Sequence, residues 1–306
     1  MHRLLIIFFL LFSDISFGQK FEDYSKLGYD AQVKEDYREA ISQYLKAQQI
    51  EPNNISINRR IALMYYYLPM YDSSLFYYNL VLSTNPKDTV SYYQRGFVYQ
   101  DKKDYQNSIK DFEKVNDLTA NSNADAEYNI GKGFIGMYKY EDAIKYFKRA
   151  LALQPNDKLS LWQLGNCYSS QKKPDQDEAL KYFNQVLSID KEYTPAYVSR
   201  GILYGERFKD FKRAHQDFDK ALSMNPKIFA AYYYKGIYYY NEKDFGNSKD
   251  MFDKVIEISP DYAEGFYRRA LAWYKIGVLN MVCRDLEKAE KLGFEKAISL
   301  KKDVCK

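Results

Sequence analysis

Apolar positions along the chain recur at helical spacing. The stretch TVSYYQRGFVYQDKKDYQNSIKDFEKVNDLTANS, Thr89 to Ser122, carries an aromatic at its fourth place, glycine at the eighth and tyrosine at the eleventh. An aromatic follows at place 17, a small residue at 20, phenylalanine at 24 and valine at 27. The stretch FAAYYYKGIYYYNEKDFGNSKDMFDKVIEISPDY, Phe229 to Tyr262, aligns with it over 34 residues without a gap. Places 4, 8 and 11 are spaced i, i+4, i+7, so they share one face of a first helix. Places 20, 24 and 27 do the same on a second.

Eight copies can be laid down, with starts near Phe21, Ile55, Thr89, Ala124, Lys158, Thr194, Phe229 and Ala263, spanning 21–294. Place 8 is small in every copy: Gly28, Ala62, Gly96, Gly131, Gly165, Gly201, Gly236 and Ala270. Place 24 is aromatic from Tyr44 to Phe252 and Leu286 in the last copy, and Pro52, Pro86, Pro155, Pro226 and Pro260 close five copies. A small residue at place 8 lets two helices approach, and proline disfavours helix in the residue before it. No single copy can bury its apolar face alone, so neighbours must stack. The pattern resembles the tetratricopeptide repeat. That resemblance implies an all-α fold, a right-handed α-solenoid of antiparallel helix pairs. Ala297, Leu300 and Val304 line one side of a last segment, 295–306, expected to be a capping helix with lysines on its outer face.

Departures from the pattern carry their own expectations. The fifth copy holds about two extra residues around Lys172 to Glu178 and the sixth about one near Phe208, both placed in the turn between helices. Gly131, Gly133 and Gly136 spell G-x-G-x-x-G, but inside a first helix and after no strand, where a dinucleotide-binding loop does not form. Each interior glycine costs about 0.8–1.0 kcal/mol relative to alanine, so these residues are expected to make a softer joint.

Residues 1–18 stand apart. Arg3 is followed by an apolar run, Leu4 to Phe12, about half of the roughly 20 residues a spanning helix needs. Ser16 and Gly18 then supply the small side chains of a signal-peptidase site. The expectation is a cleaved signal peptide and export, to a bacterial periplasm, the cell surface or the medium, leaving no integral membrane segment; an uncleaved anchor is the alternative. A net charge of +4, without a concentrated basic stripe, argues against nucleic acid.

Enzyme chemistry has little material here. Removal of the leader leaves His215 as the one histidine, at a place where other copies carry Ile41, Ile109 and Ile144, so a partly buried structural role is expected. Asp217 and Asp219 read as part of a solvated helix face. No phosphate loop, zinc spacing or nucleophile elbow occurs, and no catalytic residue, metal or cofactor is expected. Cys167, at a place held elsewhere by Met64, Val98 and Leu203, is expected to be a buried thiol. Cys283 lies near the start of the eighth copy's second helix and Cys305 near the end of the capping helix. If these run antiparallel, the thiols meet, and a disulfide would fasten the cap.

With 32 Tyr and 19 Phe, the chain has aromatics beyond those its core positions use. In the family, first helices line a concave wall and places such as 2, 5, 6, 9, 12 and 13 face it. The resemblance therefore implies partner-binding roles for Tyr93, Tyr128, Trp162, Tyr233 and Tyr267 at place 5, and for Arg60, Gln94, Asn129, Gln163, Tyr234 and Arg268 at place 6. Aromatics with a polar tip suit peptide or protein surfaces. Place 9 offers lysine and asparagine once each, at Lys132 and Asn166, with Tyr128 and Trp162 as their place-5 companions. The family's clamp for a C-terminal carboxylate is thus absent. The preferred reading is a non-enzymatic scaffold of the cell envelope that binds a protein or peptide partner, within an envelope complex. Glycan or small-ligand binding through the same tyrosines, and a non-catalytic regulatory subunit of an envelope enzyme, stay open beside it.

Overall fold

The computed structural model describes residues 18–305 in full, with the first helix given as backbone before them; the expected leader, with His2, Arg3 and Ser16, lies outside the fully described residues. The chain divides into two compact units, Met1–Pro155 and Asn156–Lys306. In the first unit the helices are α1 (His2–Val33), α2 (Tyr37–Ile50), α3 (Ile55–Tyr67), α4 (Tyr71–Thr84), α5 (Thr89–Asp101), α6 (Tyr105–Leu118), α7 (Ala124–Gly136) and α8 (Tyr140–Leu153). The second holds α9 (Lys158–Ser170), α10 (Gln176–Ile189), α11 (Thr194–Leu203), α12 (Phe211–Met224), α13 (Phe229–Asn241), α14 (Phe245–Ile258), α15 (Ala263–Ile276), α16 (Leu279–Lys291) and α17 (Glu295–Val304). Each unit is all-helical among its described residues, a stack of helix pairs, and α17 closes the second.

Local chemistry sets the ends of these helices. An aspartate stands just before most second helices, and its carboxylate accepts a first-turn amide: Asp36 from Glu39 N, Asp104 from Asn107 N, Asp210 from Arg213 N and Asp244 from Asn247 N. Such caps satisfy amides that the helix itself leaves unpaired. The preceding residue turns the chain through a left-handed backbone, φ 59° at Glu35, 61° at Lys103 and 65° at Lys243, with glycine used there only at Gly277.

Within each pair the place-8 glycine lies under the place-24 ring. A Cβ on Gly96 would stand 2.8 Å from Phe112, and one on Gly165 would stand 2.4 Å from Phe183. These rings are fully buried. The G-x-G-x-x-G glycines obey the same logic, a packing role beyond the expected soft joint. Helix α7 runs unbroken, and a Cβ on Gly131, Gly133 or Gly136 would meet Phe147, Ile109 or Tyr105 at 2.5–2.7 Å. Close packing against α6 and α8 is what these glycines serve.

A correction concerns Asp217, which is buried rather than solvated. Arg200 of α11 forks onto it at 2.8 and 2.7 Å and reaches Asn184 of α10 with its other nitrogen. The same ladder recurs as Asn79–Arg95–Asp111 and Asp253–Arg269–Asp285. In each case one arginine of a first helix joins the second helices on either side of it. Asp219 does sit at the surface, paired with Lys235.

The extra residue of the sixth copy is absorbed in a π turn, Tyr204–Phe208, that continues α11 and ends on left-handed Lys209 (φ 55°). At the end of the second unit the structure joins Cys283 to Cys305, with Cα atoms 5.7 Å apart. Around that bond Ala297 is fully buried, and Leu300 and Val304 pack on Phe266, Val282 and Leu286. Cys167 is free and buried, and burial pushes its thiol up to about 12.

Candidate functional site

Except for exposed Lys26, the place-5 and place-6 side chains of the first helices lie half-buried or deeper, and several at place 5 engage the next helix pair. In the first unit the Tyr93 ring meets Phe97 and Phe112 edge-on at 5.0 and 5.5 Å. Its hydroxyl accepts from Asn129 Nδ2 at 3.5 Å, and the same Nδ2 donates to Asp125 O at 2.8 Å. Asn129 is buried, and the buried Gln94 Oε1 has no hydrogen-bond partner. Tyr128 packs 5.6 Å from Phe147, and Lys132 Nζ lies 5.9 Å from the Tyr128 ring while donating to Gln100 Oε1 at 3.2 Å. Burial holds the Lys132 ammonium below the usual lysine range, with Asp101 opposing it.

In the second unit Trp162 Nε1 donates to Ser199 Oγ at 3.0 Å. Tyr233 donates to Glu264 Oε1 at 2.8 Å, Tyr262 to Oε2 at 2.9 Å, and Arg268 adds two bonds to Oε1 at 2.9 and 2.7 Å. Burial pushes the Glu264 carboxyl up, but those hydrogen bonds outweigh it and leave the group below the usual range. Tyr267 packs 5.0 Å from Phe294, and Gln163 is half-buried. Many of the expected partner-binding residues therefore also tie successive repeats together. Place 5 meets place 6 of the following first helix at Tyr93–Asn129 and Trp162–Ser199, a link that spans 36 and 37 residues of chain.

A cleft opens on the first-helix wall of each unit. The cleft of the second unit, about 280 Å³, is lined by Asn166, Ser169, Ser199, Ile202, Glu206 and Tyr234. Tyr234 alone was expected. Asn166 and Ser199 belong to places 9 and 6, while Glu206 is presented by the π turn, whose sequence signal was the one-residue insertion near Phe208. π turns inside helices are frequent at functional sites. The cleft of the first unit, about 370 Å³, is lined by Ser25, Lys26, Tyr29, Asn54, Ser56 and Arg60 among others.

The tyrosine cluster of α13 divides accordingly. Tyr238 is buried against Phe211 and Phe218, and its hydroxyl donates to Ile202 O at 3.1 Å. Tyr239 stacks on His215 at 4.1 Å, and His215 Nε2 lies 2.8 Å from Glu242. Tyr240 stands 5.2 Å from Phe245. Among the described residues, no three His, Cys, Asp or Glu side chains stand together as a metal site, and no helix is long and apolar enough to cross a membrane.

Stacked helix pairs with a half-buried aromatic and amide wall define a helical-repeat scaffold. Sequence models of the tetratricopeptide repeat match residues 90–122, 124–157, 160–193 and 207–263, together about half of the chain. The chain belongs to the tetratricopeptide repeat family, whose members are scaffolds that bind protein or peptide partners. It is 27% identical over 104 residues to Hsp70-Hsp90 organizing protein 3 of Arabidopsis thaliana, covering 34% of this chain and 18% of that protein. It is 24% identical to BBSome complex member BBS4 of Bos taurus over 207 residues, 67% of this chain and 39% of that protein. The chain spans less than half the length of the curated relatives it matches. Among solved structures it is similar to the APC/C hetero-tetramer Cut9-Hcn1, at 16% identity and a TM-score of 0.63, covering 91% of this chain and 55% of that one. That likeness concerns the fold.

Proposed function

We propose that the chain is a non-enzymatic scaffold of the cell envelope that holds a protein or peptide segment against the first-helix wall. One observation carries the reading. The cleft of the second unit is lined mainly by places 6, 9, 12 and 13 of three successive first helices, α9, α11 with its π turn, and α13. These are the places the family turns toward its groove, and here they offer amide, hydroxyl and aromatic groups to a main chain or side chain. A protein segment is favoured over a glycan because Tyr93 and Tyr233 meet neighbouring rings and hydrogen-bond partners instead of standing clear as stacking platforms. Export is proposed from the leader composition of residues 1–18, and the Cys283–Cys305 disulfide supports it, since such bonds persist in oxidising compartments.

The test is an in-cell crosslinking pull-down read by mass spectrometry, comparing the natural chain with Asn166→Arg/Ser170→Arg. Asn166 and Ser170 both line that cleft, so these substitutions fill it and leave the Trp162–Ser199 and Tyr233–Glu264 links in place. An envelope protein captured by the first and lost with the second is the expected result. The same partner captured equally by both would overturn the wall as the binding surface.

A further inference from the structure

The two walls treat one residue in opposite ways. Arg60 of α3 and Arg268 of α15 both occupy place 6 of a first helix. Arg268 is held by Glu264, one turn earlier at place 2. Place 2 of α3 is Ser56, and no carboxylate pairs with Arg60 among the described residues. Its neighbours do not supply one either. Arg60 engages through Nη1 alone, at 3.4 Å from Gln32 Oε1 and 3.4 Å from the Tyr44 hydroxyl, and its guanidinium lies over the Tyr29 ring at 5.4 Å. Other half-buried arginines are matched by acids: Arg59 by Asp88, Arg95 by Asp111, Arg200 by Asp217 and Arg269 by Asp285.

The link between repeats is also missing here. Place 5 of α1 is Ser25, whose buried Oγ has no partner, where Tyr93 and Trp162 reach across to the next first helix. Two short serines, Ser25 and Ser56, thus leave a cleft of about 370 Å³ beside an uncompensated guanidinium, with Lys26 at its edge. Glu22 also lines the cleft but forms no ion pair with Arg60. Further along the same unit's wall, Lys132 is half-buried and bonded to an amide oxygen. A half-buried guanidinium fork is matched by a carboxylate, which takes two parallel N–H bonds from it.

We propose that the Arg60 cleft of the first unit binds a side-chain carboxylate of an acidic protein segment. The proposal rests on the wall-binding reading above and names the chemistry of its partner. Ser56 and Ser25 make the room that Glu264 and Tyr233 occupy in the second unit, and the incoming carboxylate takes the place of Glu264.

The test titrates acetylated, amidated hexaglutamate into the full chain at low ionic strength by calorimetry, with hexaglutamine carrying the same end groups as control. Hexaglutamate should bind and hexaglutamine should not. Arg60→Gln should weaken binding about tenfold or more, the cost of losing hydrogen bonds to a charged group. Arg60→Gln also loosens the contact with Tyr29 and Tyr44, so Ser56→Glu serves as the second variant. It keeps Arg60 and supplies an internal carboxylate at i,i−4, so it should retain the wild-type melting temperature and lose binding to a similar degree. Equal binding by wild type and both variants would overturn the proposal, as would silence toward hexaglutamate in the wild type. Displacement by inorganic phosphate at concentrations comparable to the peptide would also overturn it, by showing an anion site without preference for a carboxylate segment. Partner capture lost with Asn166→Arg/Ser170→Arg reports on the wall reading alone. That loss, combined with no hexaglutamate binding, would sink the Arg60 site and leave the wall standing.

Discussion

Arg60 and Arg268 hold the same place in their repeats, yet one faces an open cleft and the other closes a network. Two places differ: Ser56 against Glu264 one turn earlier, and Ser25 against Tyr233 at place 5 of the preceding first helix. In the second unit Glu264 collects Tyr233, Tyr262 and Arg268, and the wall around Arg268 satisfies itself. In the first unit the equivalent polar groups are unmatched, which leaves a cation to be completed from outside. A repeat protein can thus build a closed face and an open one from one pattern, by changing which side chains reach across to the next helix pair.

The helix pairs around Arg268 should weaken most at the buried ladder beside them. Arg269→Met leaves Asp285, which is 2% exposed, without its partner. Removing one member of a buried pair costs about 3–5 kcal/mol, so amides of α14 to α16 should exchange faster while those of the first unit keep their protection. Arg269→Met/Asp285→Leu should recover much of the loss, because the charge left behind is the source of the cost. Unchanged exchange in Arg269→Met would mean the ladder does not hold these helices.

Next in size is the cap. Cys283→Ser opens the disulfide that joins α16 to the end of α17 and should cost about 3 kcal/mol in the loop-entropy model. Faster exchange at residues 297–304, with the rest of the unit unaffected, is the expected result. Intact mass before and after reduction and alkylation provides the prior check, since one alkylated thiol in unreduced, denatured protein is expected and three would remove the bond.

The smallest effect sharpens the comparison most. Glu264→Ser combined with Tyr233→Ser gives the second wall the arrangement of the first and should add a hexaglutamate site at Arg268. Glu264→Ser by itself should also alter the acid response. The Glu264 carboxyl is held below its usual range in the folded chain, so its contribution to stability is present above the unfolded value and is lost as pH falls through the folded one. Acid unfolding of the second unit should therefore lose this component in Glu264→Ser, with the difference from wild type vanishing once both are fully protonated. A stability difference that stays constant through the acid range would contradict the Glu264 network.

Much of the fold was legible because its determinants are local. Places 4, 8 and 11 share a face by helical geometry alone, and a glycine at place 8 anticipates a ring pressed against it. The caps could be read from aspartates such as Asp36, Asp104 and Asp244 just before an aromatic, although they were not singled out. The arginine ladders were missed because their partners lie on different helices: Asp217 sits among lysines in the sequence and meets Arg200 only once α11 and α12 pair. The packing role of the G-x-G-x-x-G run was missed for a similar reason. Propensity argued for weakness in α7, while Ile109 and Tyr105 of α6 demand the missing side chains.

By itself, the sequence determined the all-helical repeat, its helix phases and the residues that could face a partner, since each follows from spacing within a few turns. Only the tertiary structure decided which of those residues remain available. Whether a place-5 side chain is engaged depends on a residue 31 to 37 positions away, as at Tyr233–Glu264 and Trp162–Ser199. Where that distant partner is short or uncharged, as around Arg60, the wall opens. Where it completes the bond, the same pattern becomes part of the frame.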